Sequence, residues 1–91
     1  MVYYGIRNKQ TGELLRQFFS KNAGGGNTSV ISLFNIGDPL SVHIFLTKNK
    51  KTAECLLDKG YCEYNNETYK LDDRLNAVKD ALEIYESEFN L

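Results

Sequence analysis

The chain lacks tryptophan and has one proline, one methionine, one histidine and two cysteines among its 91 residues. Two cysteines are too few for the disulfide framework of a small secreted domain, so we expect Cys55 and Cys62 to be reduced thiols. Residues 1–19 alternate polar and apolar side chains, unlike a signal peptide. No apolar run approaches the roughly 18 residues of a membrane span. These absences predict a cytoplasmic protein with no membrane partner, in the host cytoplasm if its origin is viral.

The sequence also has few groups that suit catalysis or metal binding. His43 is the only histidine, and apolar neighbours place it within a predicted strand, with no partner for proton transfer. Cys55 and Cys62 are six residues apart, whereas zinc sites pair cysteines two to four apart and need four ligands. We therefore predict no catalytic residue, no metal site and no cofactor: the protein is expected not to be an enzyme.

Composition and charge carry two further hints. Phe, Tyr, Met, Ile, Asn and Lys number 34 against 15 for Gly, Ala, Arg and Pro, which indicates an AT-rich gene and suggests a virus or mobile element of a low-GC bacterium. The net charge of −1 hides a division: residues 1–53 carry seven basic and two acidic side chains, and residues 54–91 carry four basic and ten acidic. The balances are +5 and −6, so the halves are expected to attract each other within one fold or between two copies.

The first half of the chain is predicted to be strands. Tyr, Phe, Ile and Val dominate two runs around the turn 9–12, which predicts a hairpin over Val2–Lys21 with Tyr4 opposite Phe18 and Tyr3 opposite Phe19. The glycine-rich stretch 22–29 is typical of a loop. Further strands are predicted at 30–34 and 40–46, joined through a cluster of turn-forming residues.

The second half begins with a short helix. Ala53, Leu56 and Leu57 have helical spacing, which predicts a helix over 50–59 that Asn49 or Thr47 caps and Gly60 ends. A second hairpin is predicted over 61–71, around the pair at 65–66.

The C-terminal segment is predicted to be a long amphipathic helix. Asp72 is a good N-cap, and apolar residues recur three and four apart over the predicted helix 73–89; they are Leu75, Val78, Leu82, Tyr85 and Phe89. The fold class is therefore predicted as α+β, a single domain over residues 1–91 in the order ββββαββα. Its antiparallel sheet comes from two hairpins, and the C-terminal helix packs on one face.

Both faces of the predicted sheet carry apolar side chains, and so short a chain has little material to cover two faces. The candidate partner-binding residues share an aromatic face with one arginine, the residue types enriched at protein interfaces; they are Tyr3, Arg7, Leu15, Phe19 and Phe45. This favours a small non-catalytic protein-binding module, such as an inhibitor or adaptor that acts on a host protein. A variant of this hypothesis is a homodimer that forms through the same face or through the predicted acidic helix.

A second hypothesis is a nucleic-acid-binding regulator, although the net acidic chain makes a protein the expected partner. Lys48, Lys50 and Lys51 crowd the start of the short helix as a candidate basic patch. The segment 56–61, followed by the second hairpin and 69–71, resembles the end of the recognition helix and the wing of winged-helix DNA-binding domains. That resemblance covers about 20 residues and implies DNA contact by the helix and the hairpin.

A third hypothesis is a small-molecule or nucleotide binder. Gly24, Gly25, Gly26 and Asn27 form a glycine-rich loop of the general kind that cradles phosphate. No Lys-Ser or Lys-Thr follows them, so the loop is expected to be a connector, or a segment that becomes ordered on a partner.

Overall fold

About half of the described residues lie in strands in a computed structural model, which describes residues 1–21, 27–64 and 67–88. The elements follow one another along the chain as β1 (Val2–Asn8), β2 (Arg16–Lys21), β3 (Asn27–Ser32), β4 (Ser41–Ile44), α1 (Lys50–Lys59), β5 (Tyr61–Tyr64), β6 (Glu67–Leu71), a 3₁₀ helix (Asp73–Ala81) and β7 (Leu82–Glu88). The predicted strands at 30–34 and 40–46 therefore exist with shifted bounds. The predicted loop 22–29 is wrong over its last three residues, because β3 begins at Asn27.

The larger sheet has five strands in the order β4-β2-β3-β6-β5. Neighbouring strands are antiparallel except β3 and β6, which are parallel, with Ile31 beside Leu71. The predicted all-antiparallel sheet is therefore wrong at this junction. Strands β3 and β4 both flank β2, so residues 33–40 must cross β2 to connect them.

The smaller sheet pairs the two ends of the chain. β1 runs antiparallel to β7, with Ile6 opposite Ile84 and Arg7 opposite Glu83. The predicted pairing of β1 with β2 is wrong beyond the turn: Gly12 takes a left-handed φ of 74° in that turn, but Leu15 already leaves β1. Its N–H donates to the Ile6 carbonyl, whereas its carbonyl accepts from Phe45. The chain is thereby directed into the larger sheet, where β2 pairs with β3 and β4.

The predicted long C-terminal helix is wrong, and with it the predicted fold class. The helix is a 3₁₀ helix that is non-helical at Val78 (φ −123°, ψ 24°), and Leu82 is already extended. Leu82 and Ile84 fit the alternation of a strand as well as they fit the spacing of a helix. Three glutamates near the end of the segment would also interact unfavourably with the dipole of a helix. The unpaired edge of β1 offers seven residues of antiparallel pairing, which decides in favour of a strand.

Three local predictions are confirmed. Asn49 caps α1, and its side chain accepts the Lys51 N–H at 3.0 Å. Gly60 ends that helix with φ 83°, and its N–H donates to the Leu56 carbonyl. β5 and β6 pair antiparallel with Cys62 opposite Tyr69, as predicted, whereas the predicted turn at 65–66 lies outside the described residues. Each of these depends on a few neighbouring residues, so local chemistry is enough to specify it.

One core joins both sheets and the helix. The buried residues come from eight different parts of the chain; they are Ile6, Leu15, Ile31, Phe45, Leu56, Leu71, Leu75 and Leu82. α1 contacts β5 and β6 of the larger sheet and β1 and β7 of the smaller one. The helix therefore lies where it can line a surface with β7.

A buried carboxylate fixes the start of the 3₁₀ helix. Asp72 accepts hydrogen bonds from the Ser32 hydroxyl at 2.6 Å, from the Arg74 backbone N–H at 3.0 Å and from the Arg74 guanidinium at 2.7 Å. The Arg74 side chain is the main reason that the pKa of Asp72 falls to about 2, and the Ser32 hydroxyl adds to this effect. These bonds tie the end of β3 to the segment that leads into β7.

Candidate protein-binding groove

β7 is a terminal strand whose outer edge has backbone groups available for pairing. Its one strand neighbour among the described residues is β1. The Lys9 N–H donates to the Ala81 carbonyl, which sets the alternation of the antiparallel ladder. Hence Glu83, Tyr85 and Ser87 direct their backbone groups toward β1, while Ile84 and Glu86 direct theirs away from it.

A groove lies beside this edge, between β7 and α1. Its volume is about 300 Å³, and it is lined by Glu54, Leu57, Asp58 and Ile84. Glu54 and Asp58 are four residues apart on the helix, so they share one face. Leu57 and Ile84 contribute an apolar surface between the helix and the strand. The fold thus places two carboxylates and two aliphatic side chains next to unpaired strand backbone.

The lining of the groove is acidic. Within the described ranges, Glu54 and Asp58 form no ion pair. Glu86 is exposed and two residues beyond Ile84, so its side chain shares the groove side of β7. Lysines lie around the groove: the Lys79 ammonium group donates to the Asp58 carbonyl at 3.4 Å, and Lys50 and Lys51 lie one turn before Glu54 on α1. The lining itself has two carboxylates and no basic residue, so a cationic partner finds its opposite charge there.

On the opposite face of the smaller sheet, charge is already compensated. Arg7 Nε donates to Glu83 Oε2, and the Arg7 guanidinium lies 5.0 Å from the centre of the Tyr85 ring. This ion pair joins the basic first half of the chain to the acidic second half within one fold. The two faces of β7 therefore differ: one is paired internally, and the other has unpaired carboxylates.

The predicted partner face does not exist as one surface. Leu15 and Phe45 are buried in the core, so their side chains cannot meet a partner. Tyr3 and Arg7 lie on β1, and Phe19 lies on β2 in the other sheet, half-buried. The expectation that these five residues act together is corrected by the departure of the chain from β1 at Leu15, which carries β2 into the larger sheet.

The predicted basic patch is present at the start of α1. Lys48, Lys50 and Lys51 are all exposed, and Lys48 Nζ lies 6.0 Å from the centre of the Tyr3 ring. The β5–β6 hairpin follows α1, but the segment before α1 forms strands rather than the two further helices of a winged helix. Binding to nucleic acid stays a prediction.

The glycine loop lies almost wholly outside the described residues. Gly24, Gly25 and Gly26 belong to the gap at 22–26, whereas Asn27 is the first residue of β3, opposite Lys21 on β2. Binding of a nucleotide by this loop also stays a prediction.

The residues singled out for chemistry lie away from the groove lining. His43 is exposed on β4. Cys55 and Cys62 are free thiols, and Cys55 Sγ donates to the Tyr61 carbonyl at 3.2 Å. Burial raises the pKa of the Cys62 thiol, and the adjacent Cys55 raises it further, so Cys62 is a neutral, weakly nucleophilic thiol at pH 7. In the part of the chain that the structure describes, no three His, Cys, Asp or Glu side chains are grouped to hold a metal ion.

The groove residues were absent from the sequence-based candidates. Glu54 and Asp58 had a visible signal, a pair of acids at i and i+4 beside an apolar Leu57. Ile84 had none, because its role depends on the end of the chain being a strand. The groove is therefore a product of the β1–β7 pairing.

No protein-family model, curated protein or solved structure matches this chain. No helix within the described residues is long and apolar enough to cross a membrane.

Proposed function

We propose that this protein is a non-catalytic binding module that holds an extended, basic segment of a partner protein along β7. The observation that carries the proposal is the juxtaposition of the outer edge of β7 with the acidic groove lined by Glu54, Leu57, Asp58 and Ile84. An added strand gains main-chain hydrogen bonds from an edge and specificity from the side-chain sites beside it.

The chemistry of the groove defines the partner segment. An incoming strand pairs with the outward backbone groups of Ile84 and Glu86, and every second side chain of that strand then lies over the groove side of β7. Aliphatic stems of lysine or arginine cover Leu57 and Ile84, while their charged ends reach Glu54 and Asp58. A segment of alternating basic residues therefore fits better than an acidic or a helical one.

A module of this kind acts by occupying a segment of another protein. That is the mode of action of the inhibitor or adaptor that the sequence suggests, and it requires no proton-transfer group in the groove. The free thiols Cys55 and Cys62 support a reducing, cytoplasmic setting as part of the same proposal. A viral or mobile-element origin remains a prediction from composition.

The test is direct binding of a designed peptide, acetyl-Lys-Val-Lys-Val-Lys-Val-Lys-amide, measured by isothermal titration calorimetry. We expect saturable binding that the double variant Glu54→Gln/Asp58→Asn weakens about tenfold, because each charge-assisted contact contributes on the order of 0.5–1 kcal/mol at a partly exposed site. A peptide with Glu in place of each Lys is expected not to bind.

The matched control is Asp38→Asn against Asp58→Asn. Both changes neutralise one exposed aspartate, but Asp38 lies in the crossover between β3 and β4, away from the groove lining. The proposal fails if the two variants weaken the peptide equally, or if a version of the peptide with its central Val replaced by Pro binds as well as the original.

A further inference from the structure

β4 is, like β7, a terminal strand with an open edge, but its properties are unlike those of β7. All four of its residues are exposed, including Val42 (46%) and Ile44 (47%), and Leu40 just before it is 65% exposed. The stretch 39–47 contains no Asp, Glu, Lys or Arg. Charged residues and proline within a strand are the usual protection of an open edge, and residues 41–44 have neither.

The hydrogen bonds of the sheet show which backbone groups of β4 face outward. The Phe45 N–H donates to the Leu15 carbonyl in register with the β2–β4 ladder, so the groups of Ser41 and His43 point toward β2. Those of Val42 and Ile44 consequently point away from it. The next strand agrees with this alternation. Ile31 on β3 lies opposite Gln17 on β2, and its carbonyl points away from β2, where it accepts the Asp72 N–H.

We infer that β4 pairs with β4 of a second copy of this chain, antiparallel, around a twofold axis that passes between the two His43 residues. In this register Val42 lies opposite Ile44 of the other copy, and each residue supplies one N–H and one C=O. All the outward groups of both strands then find partners. If the axis passed between the two Val42 residues instead, Ile44 would have to pair with Leu40 of the other copy. The Leu40 N–H is not available for that pairing, because it already donates to the Phe19 carbonyl.

A second copy is the occupant that the charges favour. A strand without Asp, Glu, Lys or Arg brings none of these charges against its own kind when it pairs with itself, whereas a partner strand rich in them would gain nothing from β4. Val42 and Ile44 also share one side of the sheet, opposite Phe18 and Arg16, so the pairing brings aliphatic side chains of both copies into cross-strand contact. Because the strand is short, the interface is small and the dimer depends on concentration.

The first test measures mass by sedimentation equilibrium over a range of protein concentrations. We expect a monomer–dimer equilibrium that approaches twice the chain mass of 10.4 kDa. Val42→Pro removes an outward N–H without removing a bond to β2, so this variant is expected to stay monomeric. The control Val42→Thr keeps the N–H and a β-branched side chain and is expected to dimerise. A monomeric wild type, or a dimer that persists in Val42→Pro, overturns the inference.

The second test fixes the register by oxidative cross-linking. His43→Cys, in a chain that also carries Cys55→Ser and Cys62→Ser, places two thiols across a non-hydrogen-bonded pair about 4.5 Å apart at Cα, within the range that a disulfide spans. Mild oxidation with oxidised glutathione is expected to give a covalent dimer. Ser41→Cys in the same background is the control: it places the thiols more than 10 Å apart along the strand, and cross-linking there instead of at position 43 would contradict the register.

Dimerisation at β4 and peptide binding at β7 use different strands. Val42→Pro is expected to leave peptide affinity unchanged, and Glu54→Gln/Asp58→Asn is expected to leave the mass distribution unchanged. Failure of one proposal is therefore distinguishable from failure of the other.

Discussion

The open edges of β7 and β4 differ chiefly in charge. β7 is seven residues long, lies beside a groove with carboxylates on α1, and carries Glu86 and Glu88. β4 is four residues long, contains no Asp, Glu, Lys or Arg, and presents Val42 and Ile44 to solvent. Both offer backbone hydrogen-bonding groups of the same kind.

Because both edges offer the same backbone groups, the side chains of each strand determine which partner it binds. Pairing β7 with another β7 would bring several carboxylates together, which costs free energy for each like-charge contact. Pairing β4 with another β4 meets no such penalty. One fold can therefore have one edge for a basic partner and another for itself, with little competition between them.

The largest effect is expected from a pair of proline variants that tests which groups of β7 point outward. Tyr85→Pro removes an N–H that faces β1 and should lower the free energy of unfolding by about 3 kcal/mol or more. Glu86→Pro removes an outward N–H and should cost much less while abolishing peptide binding. Urea denaturation and calorimetry measure the two effects, and equal destabilisation would mean that the alternation at β7 is misassigned.

A smaller effect on stability is expected from acid. Asp72 fixes the segment that leads into β7, whereas among the described residues no such carboxylate anchors β4. The pKa of Asp72 is lowered from 3.8 to about 2 by the Arg74 side chain and by Ser32. Folding therefore gains stability from the ionised form above pH 3.8, and this gain is lost as the pH falls toward 2. The loss is no more than about 2 kcal/mol.

Urea denaturation of the wild type and of Asp72→Asn at several pH values measures this contribution. The variant should be less stable at pH 6 and should lose less stability than the wild type between pH 4 and pH 2. Parallel pH profiles would contradict the assigned role of Asp72.

Added salt should weaken peptide binding at β7 about tenfold and should affect dimerisation at β4 far less. Raising the ionic strength from about 50 to about 500 mM shortens the screening length to a few ångströms, so peptide affinity at β7 should fall about tenfold. Dimerisation through β4 should change less than about twofold, since no ion pair contributes to it. Calorimetry and sedimentation in the same buffers provide the comparison, and a salt-sensitive dimer would point to a charged interface elsewhere.

The smallest effect is a gain of association at β7. Glu86→Thr/Glu88→Thr removes two exposed carboxylates and leaves an edge that resembles β4 more closely. In a Val42→Pro background, which has lost the β4 contact, this double variant should self-associate weakly at the highest concentrations used in sedimentation velocity. If it stays monomeric there, negative charge is not what keeps copies of β7 apart.

Much of the local structure was predictable from the sequence because few residues decide it. Asn49, Gly60 and the hairpin at 61–71 follow from capping and turn chemistry, and Asp72 was correctly predicted as an N-cap. The candidate interface was not predictable in the same way. It depended on the C-terminal segment being a strand that pairs with β1, and the apolar residues of that segment suit a helix nearly as well.

The sequence by itself therefore determined the turns, the caps, the short helix and the separation of a basic half from an acidic half. Only the tertiary structure decided that residues 82–88 are a strand, that β3 and β6 are parallel, and that Glu54 and Asp58 face Ile84. The physical reason is that a segment such as 82–88 fits two periodicities nearly equally well. The free energy of pairing with β1, from residues about 80 positions away along the chain, selects one of them.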